Sequence, residues 1–162
     1  GTTWRFVDHL SKMFKMEFVF IRPSNVYGPG NDFDAKTSHV IEATVRKIKE
    51  RQDPMIVWGS GNDSRDPTYI DDLAEALALC ADCEPGAYNI GSGEQVTVND
   101  VIKILCDHAD FHPKIEYDLT KPTAIPARRL DCSKIHEIGW AARVGITEGL
   151  RRTFDWYQTH AK

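Results

Sequence analysis

The sequence predicts an α/β fold built on parallel strands, and three observations carry that prediction. Short apolar runs such as "EFVFI", "MIVW" and "AYNIG" end in loops punctuated by Gly, Pro or Asn. Between them lie stretches whose apolar residues recur at helical spacing. The two patterns alternate along a chain of 162 residues, long enough for one substantial core and too short for two independent domains.

The elements follow in order. Phe6, Val7, Leu10 and Phe14 mark an amphipathic helix over 2–15, and "EFVFI" (17–21) is the first strand. It runs into "RPSNVYGPGNDF" (22–33). In open α/β sheets ligands sit in loops beyond the carboxyl ends of strands, so this loop is a candidate ligand edge, although Pro23, Gly28, Pro29 and Gly30 also suit any tight connection. Thr37 or Ser38 is expected to cap a helix carrying Val40, Ile41, Val45 and Ile48. "MIVW" (55–58) is a strand stopped by "GSGND", and "DDLAEALALCAD" (71–82) is a helix with two carboxylates at its positive end. "AYNIGSGE" is a strand entering a turn.

Thr97 and Asp100 have capping-box spacing, and Val98, Val101, Ile102, Leu105 and Cys106 then define one helix face. "KIEYD" (114–118) reads as a strand and "LTKPTAIPARR" (119–129) as an extended segment that its prolines keep from being helical. Ser133 is expected to cap a short helix ending near Ile138. Thr147 is expected to cap the last one, with Leu150, Phe154 and Tyr157 on its buried face.

Composition narrows the function classes. Hydrophobic residues make up 41% and charged residues 27%, and no apolar run approaches the roughly 18 residues of a membrane span. A net charge of -4 with interspersed cations argues against nucleic acid. Cys80, Cys83, Cys106 and Cys132 include one CxxC, but no second metal-ligand pair accompanies it, and it ends a helix instead of opening one. They read as unpaired thiols in a reducing cytoplasm, with no metal and no export signal.

Five stretches together, "FIRPSNVYGPGNDF", "SHVIEATVRK", "VWGSGNDSRDPTYIDDLAEA", "YNIGSGEQVTVNDV" and "DLTKPTAIPARRLDCSKIHEIGW", resemble the carboxyl-terminal half of an extended short-chain dehydrogenase/reductase of the NAD-dependent epimerase/dehydratase family, in its GDP-L-fucose synthase branch. The resemblance spans essentially the whole chain. It implies the carboxyl-terminal strands of a Rossmann-like parallel sheet (1–35 and 68–95) plus a small α/β substrate-binding lobe (36–67 and 96–162). The cofactor's glycine turn and the Tyr-x-x-x-Lys pair are not among these residues, so the amino-terminal cofactor-binding half is expected to come from elsewhere.

Roles follow from the same resemblance. Pro23, Ser24, Asn25 and Val26 match the loop at the nicotinamide end of NAD(P), whose binding by this chain alone is expected to be weak or absent. His39 matches the acid/base histidine of epimerisation, a task suited to an imidazole, although on its own it reads as a cap or a surface residue. Lys47, Trp58, Arg65 and, more weakly, Arg128 match the nucleotide-sugar pocket; a solvated Lys47 and a core Trp58 are the plain alternatives. "GSGE" (91–94) lacks phosphate-loop spacing and reads as a turn. Three departures bear on sugar and base: Asn31-Asp32-Phe33 for Asp-Asn-Phe, Arg65-Asp66-Pro67 for Arg-Glu-Phe, and Lys121-Pro122-Thr123-Ala124 for Lys-Pro-Asp-Gly.

The resulting expectation is the substrate-binding half of a nucleotide-sugar epimerase/reductase that is not catalytic alone. A free-standing nucleotide-sugar binding module is the rival, and another 4-epimerase or dehydratase fragment a variant. Self-association is expected too, because Phe18, Phe20, Tyr88 and Ile90 would line a bare sheet face.

Overall fold

A computed structural model of the chain describes residues 2–121 and 129–161. Among these the elements run α1 (Thr2–Phe14), β1 (Val19–Pro23), β2 (Asn25–Tyr27), α2 (Val40–Lys49), β3 (Met55–Trp58), β4 (Ser64–Arg65) and β5 (Pro67–Tyr69). They continue with α3 (Ile70–Cys80), β6 (Gly86–Ile90), β7 (Val96–Thr97), α4 (Val98–Ala109), β8 (Ile115–Asp118), α5 (Ser133–Glu137) and α6 (Ile146–His160). The fold is α/β with parallel strands, as the alternation predicts. β1 pairs with β6, β2 with β5 and β3 with β8, all parallel, while the short β4 and β7 are antiparallel.

Two hydrophobic clusters hold these elements. The larger gathers Ile41, Val45 and Ile48 of α2, Met55 and Val57 of β3, Val101, Ile102 and Leu105 of α4, and Leu150 and Phe154 of α6. β3 shows why period-two alternation matters: Met55 and Val57 point into this core, and Ile56 and Trp58 point out. The smaller cluster packs Tyr88 and Ile90 of β6 against Ala76, Cys80, Cys132, Ile135 and Trp140. Tyr88 and Ile90 are therefore buried, not bare, because α5 and Trp140 cover that face of β6. Exposed large apolar side chains include Phe6, Met13, Phe14 and Met16 on α1 and just beyond it, with others at Ile56, Trp58, Tyr117 and Leu119.

Helix ends divide into local and borrowed ones. α4 carries the predicted capping box: the Thr97 hydroxyl accepts from the Asp100 amide at 3.1 Å, and the Asp100 carboxylate accepts from the Thr97 amide at 2.9 Å. The other predicted caps shift. α2 starts after His39 with no side-chain cap from Thr37 or Ser38, and Ser133 lies inside α5, its amide held by Asp131 at 3.0 Å. Thr147 lies inside α6, where Glu94, 52 residues away, accepts from the Ile146 amide at 3.0 Å. The far end of α6 is closed by Lys49 of α2, whose amine donates to the carbonyls of Tyr157 and Ala161, both at 3.3 Å.

Asp72 ties the start of α3 to the segment that precedes α6. Its buried carboxylate accepts from the amides of Arg143 and Val144 at 3.0 and 3.1 Å, and its carbonyl accepts from the Trp140 indole at 3.2 Å. Cys80, Cys83, Cys106 and Cys132 are free thiols. Burial and the neighbouring Cys83 push the Cys80 thiol up to about 11, which suits a packed residue more than a reactive one. Among the described residues no helix is long and apolar enough to cross a membrane.

Candidate functional site

β1 ends at Pro23 and β2 begins at Asn25, so Pro23–Val26 lies at the carboxyl end of the β1–β6 pair. What fixes it there is a set of bonds to neighbouring loops. The Ser24 amide donates to the Ile90 carbonyl at 2.7 Å, and the Ser24 hydroxyl donates to the Asp66 carbonyl. Asp66 is buried, and its carboxylate accepts from the Ser92 hydroxyl at 2.8 Å and the Gly93 amide at 3.0 Å. The Ser92 hydroxyl and the Gly93 amide of "GSGE" are thus committed within the protein.

Two cavities meet beside this edge. The first, about 500 Å³, is lined by Pro23, Ser24, Asn25, Val26 and Tyr27, with His39, Glu42 and Arg65 opposite. The second, about 470 Å³, is lined by Lys36, Arg46, Lys47, Ile56, Trp58 and Asp63, and again by His39 and Arg65. His39 and Arg65 form the wall between them. The fold therefore brings Pro23, Ser24, Asn25, Val26, His39, Lys47, Trp58 and Arg65 around one composite pocket. Arg128 lies outside the described residues.

Each side chain has a physical reason for its position. His39 is exposed at the start of α2, with its carbonyl accepting from the Ala43 amide at 2.8 Å, so its ring is free of any capping duty. Lys47 is half-buried on α2 and its amine donates to the Ile56 carbonyl at 2.7 Å; burial first, and the Arg46 charge second, lower its pKa. Trp58 is 66% exposed, so it is no core residue, and the Lys121 amine stands 5.4 Å from its ring centre. Arg65 bonds the Ser64 carbonyl at 2.6 Å and lies 3.9 Å from the Asp63 carboxylate. Among the described residues, the second cavity thus combines a flat aromatic face with Lys36, Arg46, Lys47 and Arg65 against the acid Asp63. Such a lining suits a polyanion attached to an aromatic ring.

Sequence reasoning missed Glu42 and met Asn31 only as a departure from the family pattern. Glu42 lines the first cavity at 1% exposure and accepts from the Asn31 amide at 2.6 Å. One signal was available: Glu42 and Val45 share a helix face at i, i+3 spacing, which places a carboxylate within the apolar stripe.

The profile of the NAD dependent epimerase/dehydratase family matches residues 3–91. The chain belongs to this family. Among relatives within it, GDP-L-fucose synthase 1 of Arabidopsis thaliana is 36% identical over 141 residues, covering 83% of this chain and 44% of that protein. A GDP-L-fucose synthase of Sinorhizobium fredii is 30% identical over 150 residues, covering 89% and 48%. The UDP-glucose 4-epimerase of Thermotoga maritima, solved with UDP-glucose, superimposes with a TM-score of 0.92 at 24% identity, covering 99% of this chain and 52% of that one. The Thermus thermophilus UDP-glucose 4-epimerase, solved with NAD, gives a TM-score of 0.84 at 25% identity, covering 98% and 51%. The chain spans about half the length of the family members it matches.

Proposed function

We propose that this chain is the substrate-binding half of an NAD(P)-dependent nucleotide-sugar epimerase/reductase. The observation that carries the reading is the shared wall of His39 and Arg65 between a cavity bounded by Pro23–Val26 and a cationic one bounded by Lys47 and Trp58. In this assignment the base lies on Trp58, Lys47 and Arg65 hold the diphosphate, and the sugar extends past His39 into the first cavity. In the same assignment His39 moves a proton at the carbon beside a keto group. The lobe division at 35/36, 67/68 and 95/96 belongs to the same proposal, as does a cytoplasmic setting.

The residues present fit one end of a dinucleotide. Pro23–Val26 offers a rim with the Asn25 amide group for a nicotinamide, whereas the donors of the 91–94 turn are already committed to Asp66 and Ser92. NAD(P) bound there would supply hydride chemistry. This chain's contribution is to shape the rim and hold the sugar against it.

The test is calorimetric titration with GDP-, UDP-, dTDP- and CDP-sugars beside NADPH. Nucleotide sugars are expected to bind more tightly than NADPH, and strong NADPH binding without sugar-nucleotide binding overturns the assignment. Arg65→Ala is expected to weaken nucleotide-sugar binding by about 1–3 kcal/mol, the scale of a charged hydrogen bond, with folding intact. Equal affinities in variant and parent would place Arg65 outside the pocket. We also propose that the chain associates with itself through the apolar face of α1.

A further inference from the structure

Glu42 is an expensive residue for α2 to carry. A carboxylate at 1% exposure gives up its hydration, and burial holds its pKa up against the opposing effects of its backbone bond, Asn31 and His39. An apolar side chain of similar volume would pack the same face at lower cost. What Glu42 obtains instead is a grip on the loop in front of its own helix.

The Asn31 amide donates to Glu42 Oε1 at 2.6 Å and also to the Val26 carbonyl at 3.3 Å. The Asn31 carbonyl oxygen accepts from the Asp32 amide at 3.0 Å, and the Asp32 carboxylate takes the Asp34 amide at 2.9 Å and the Thr37 hydroxyl. Asp34 then accepts from the Lys36 amide at 2.8 Å through its side chain and from the Ser38 amide at 3.0 Å through its carbonyl. A continuous set of bonds therefore runs from the buried carboxylate to the residue preceding His39, with a branch to the Pro23–Val26 rim. The groups facing Glu42 are Asn31 and Asp32 from the loop and His39 from the start of α2.

We propose that Glu42 is a positioning residue: by holding Asn31 it fixes the 31–39 loop, and with it His39, in register with the Val26 edge of the cavity. That His39 works on a bound sugar rests on the function proposed above; the grip on the loop does not.

Two substitutions separate the acceptor from the volume. Glu42→Gln keeps an oxygen for Asn31, and Glu42→Leu fills the space without one. In the ligand-free chain, hydrogen exchange at the Lys36 and Ser38 amides is expected to quicken by about tenfold or more in Glu42→Leu and to stay near the parent rate in Glu42→Gln. The thermal midpoint of Glu42→Leu is expected to equal or exceed that of the parent. With GDP-L-fucose and UDP-glucose as probes, affinity for whichever binds the parent is expected to fall about tenfold in the Leu variant and to remain within about twofold in the Gln variant. A folded Leu variant with parent-like exchange overturns the proposal, as does a Gln variant as loose as the Leu one. Should Glu42→Leu fail to fold, Asn31→Leu breaks the same bond from the loop side and carries the same expectations. If the exchange result holds while neither probe binds the parent, the grip stands and the sugar-site assignment fails.

Discussion

α4 and α1 are amphipathic helices of 12 and 13 residues, and they meet opposite fates. α4 buries Val101, Ile102, Leu105 and Cys106 between α2 and α6, whereas α1 leaves Phe6 61% and Phe14 60% exposed. A helical repeat of apolar residues is a local property of the sequence, but burial needs a matching surface from elsewhere in the chain. α4 has that surface within these residues. α1 has a face ready for one.

The contrast can be broken by substitution. Leu105→Ala removes a fully buried side chain from the centre of the larger cluster and is expected to cost about 2–5 kcal/mol in urea denaturation, while Phe6→Ala is expected to stay within about 0.5 kcal/mol. A comparable loss at Phe6 would mean that α1 is packed in solution. Association sharpens the same point. Light scattering is expected to show the parent growing in mass with concentration and a Phe6→Lys/Phe14→Lys variant shifting toward monomer. A parent that stays monomeric at high concentration would refute the association.

Smaller effects isolate the local part of the difference. Thr97→Ala opens the capping box and is expected to cost α4 about 1 kcal/mol, measured as a lower urea midpoint with an unchanged slope. The pH dependence is smaller again. Hydrogen bonds from the Thr97 hydroxyl and then its amide lower the pKa of Asp100, so the stabilisation is present above the unfolded value of about 4 and is lost as the pH falls through the lowered folded value. The gap between parent and Thr97→Ala should therefore narrow at acid pH. A gap that stays constant would assign the cap to the hydroxyl alone.

What was legible in the sequence follows the same division. The start of α4 and both ends of β3 were legible, because a capping box and a four-residue apolar run are self-contained signals. β2, β4, β5 and β7 could not, since two or three residues carry no period and form strands only when a distant partner arrives. The caps of α5 and α6 were misplaced for a related reason: Asp131 and Glu94, not the nearest hydroxyls, hold their first amides. At the site, residue chemistry and family resemblance pointed to His39, Lys47, Trp58 and Arg65, but only the fold shows two cavities sharing a wall. Glu42 escaped notice because a carboxylate within a charged helix reads as solvated, although its i, i+3 spacing to Val45 puts it on the apolar face.

The last helix also reaches the floor of the site. Gly149 of α6 lies so close to Tyr27 that a Cβ would fall 2.1 Å from the phenolic oxygen, and Tyr27 lines the first cavity. Even a single methyl group at position 149 must therefore lift α6 or tilt that ring. The seating depth of α6 becomes a lever on the shape of the pocket, worked from a residue that does not itself line that cavity.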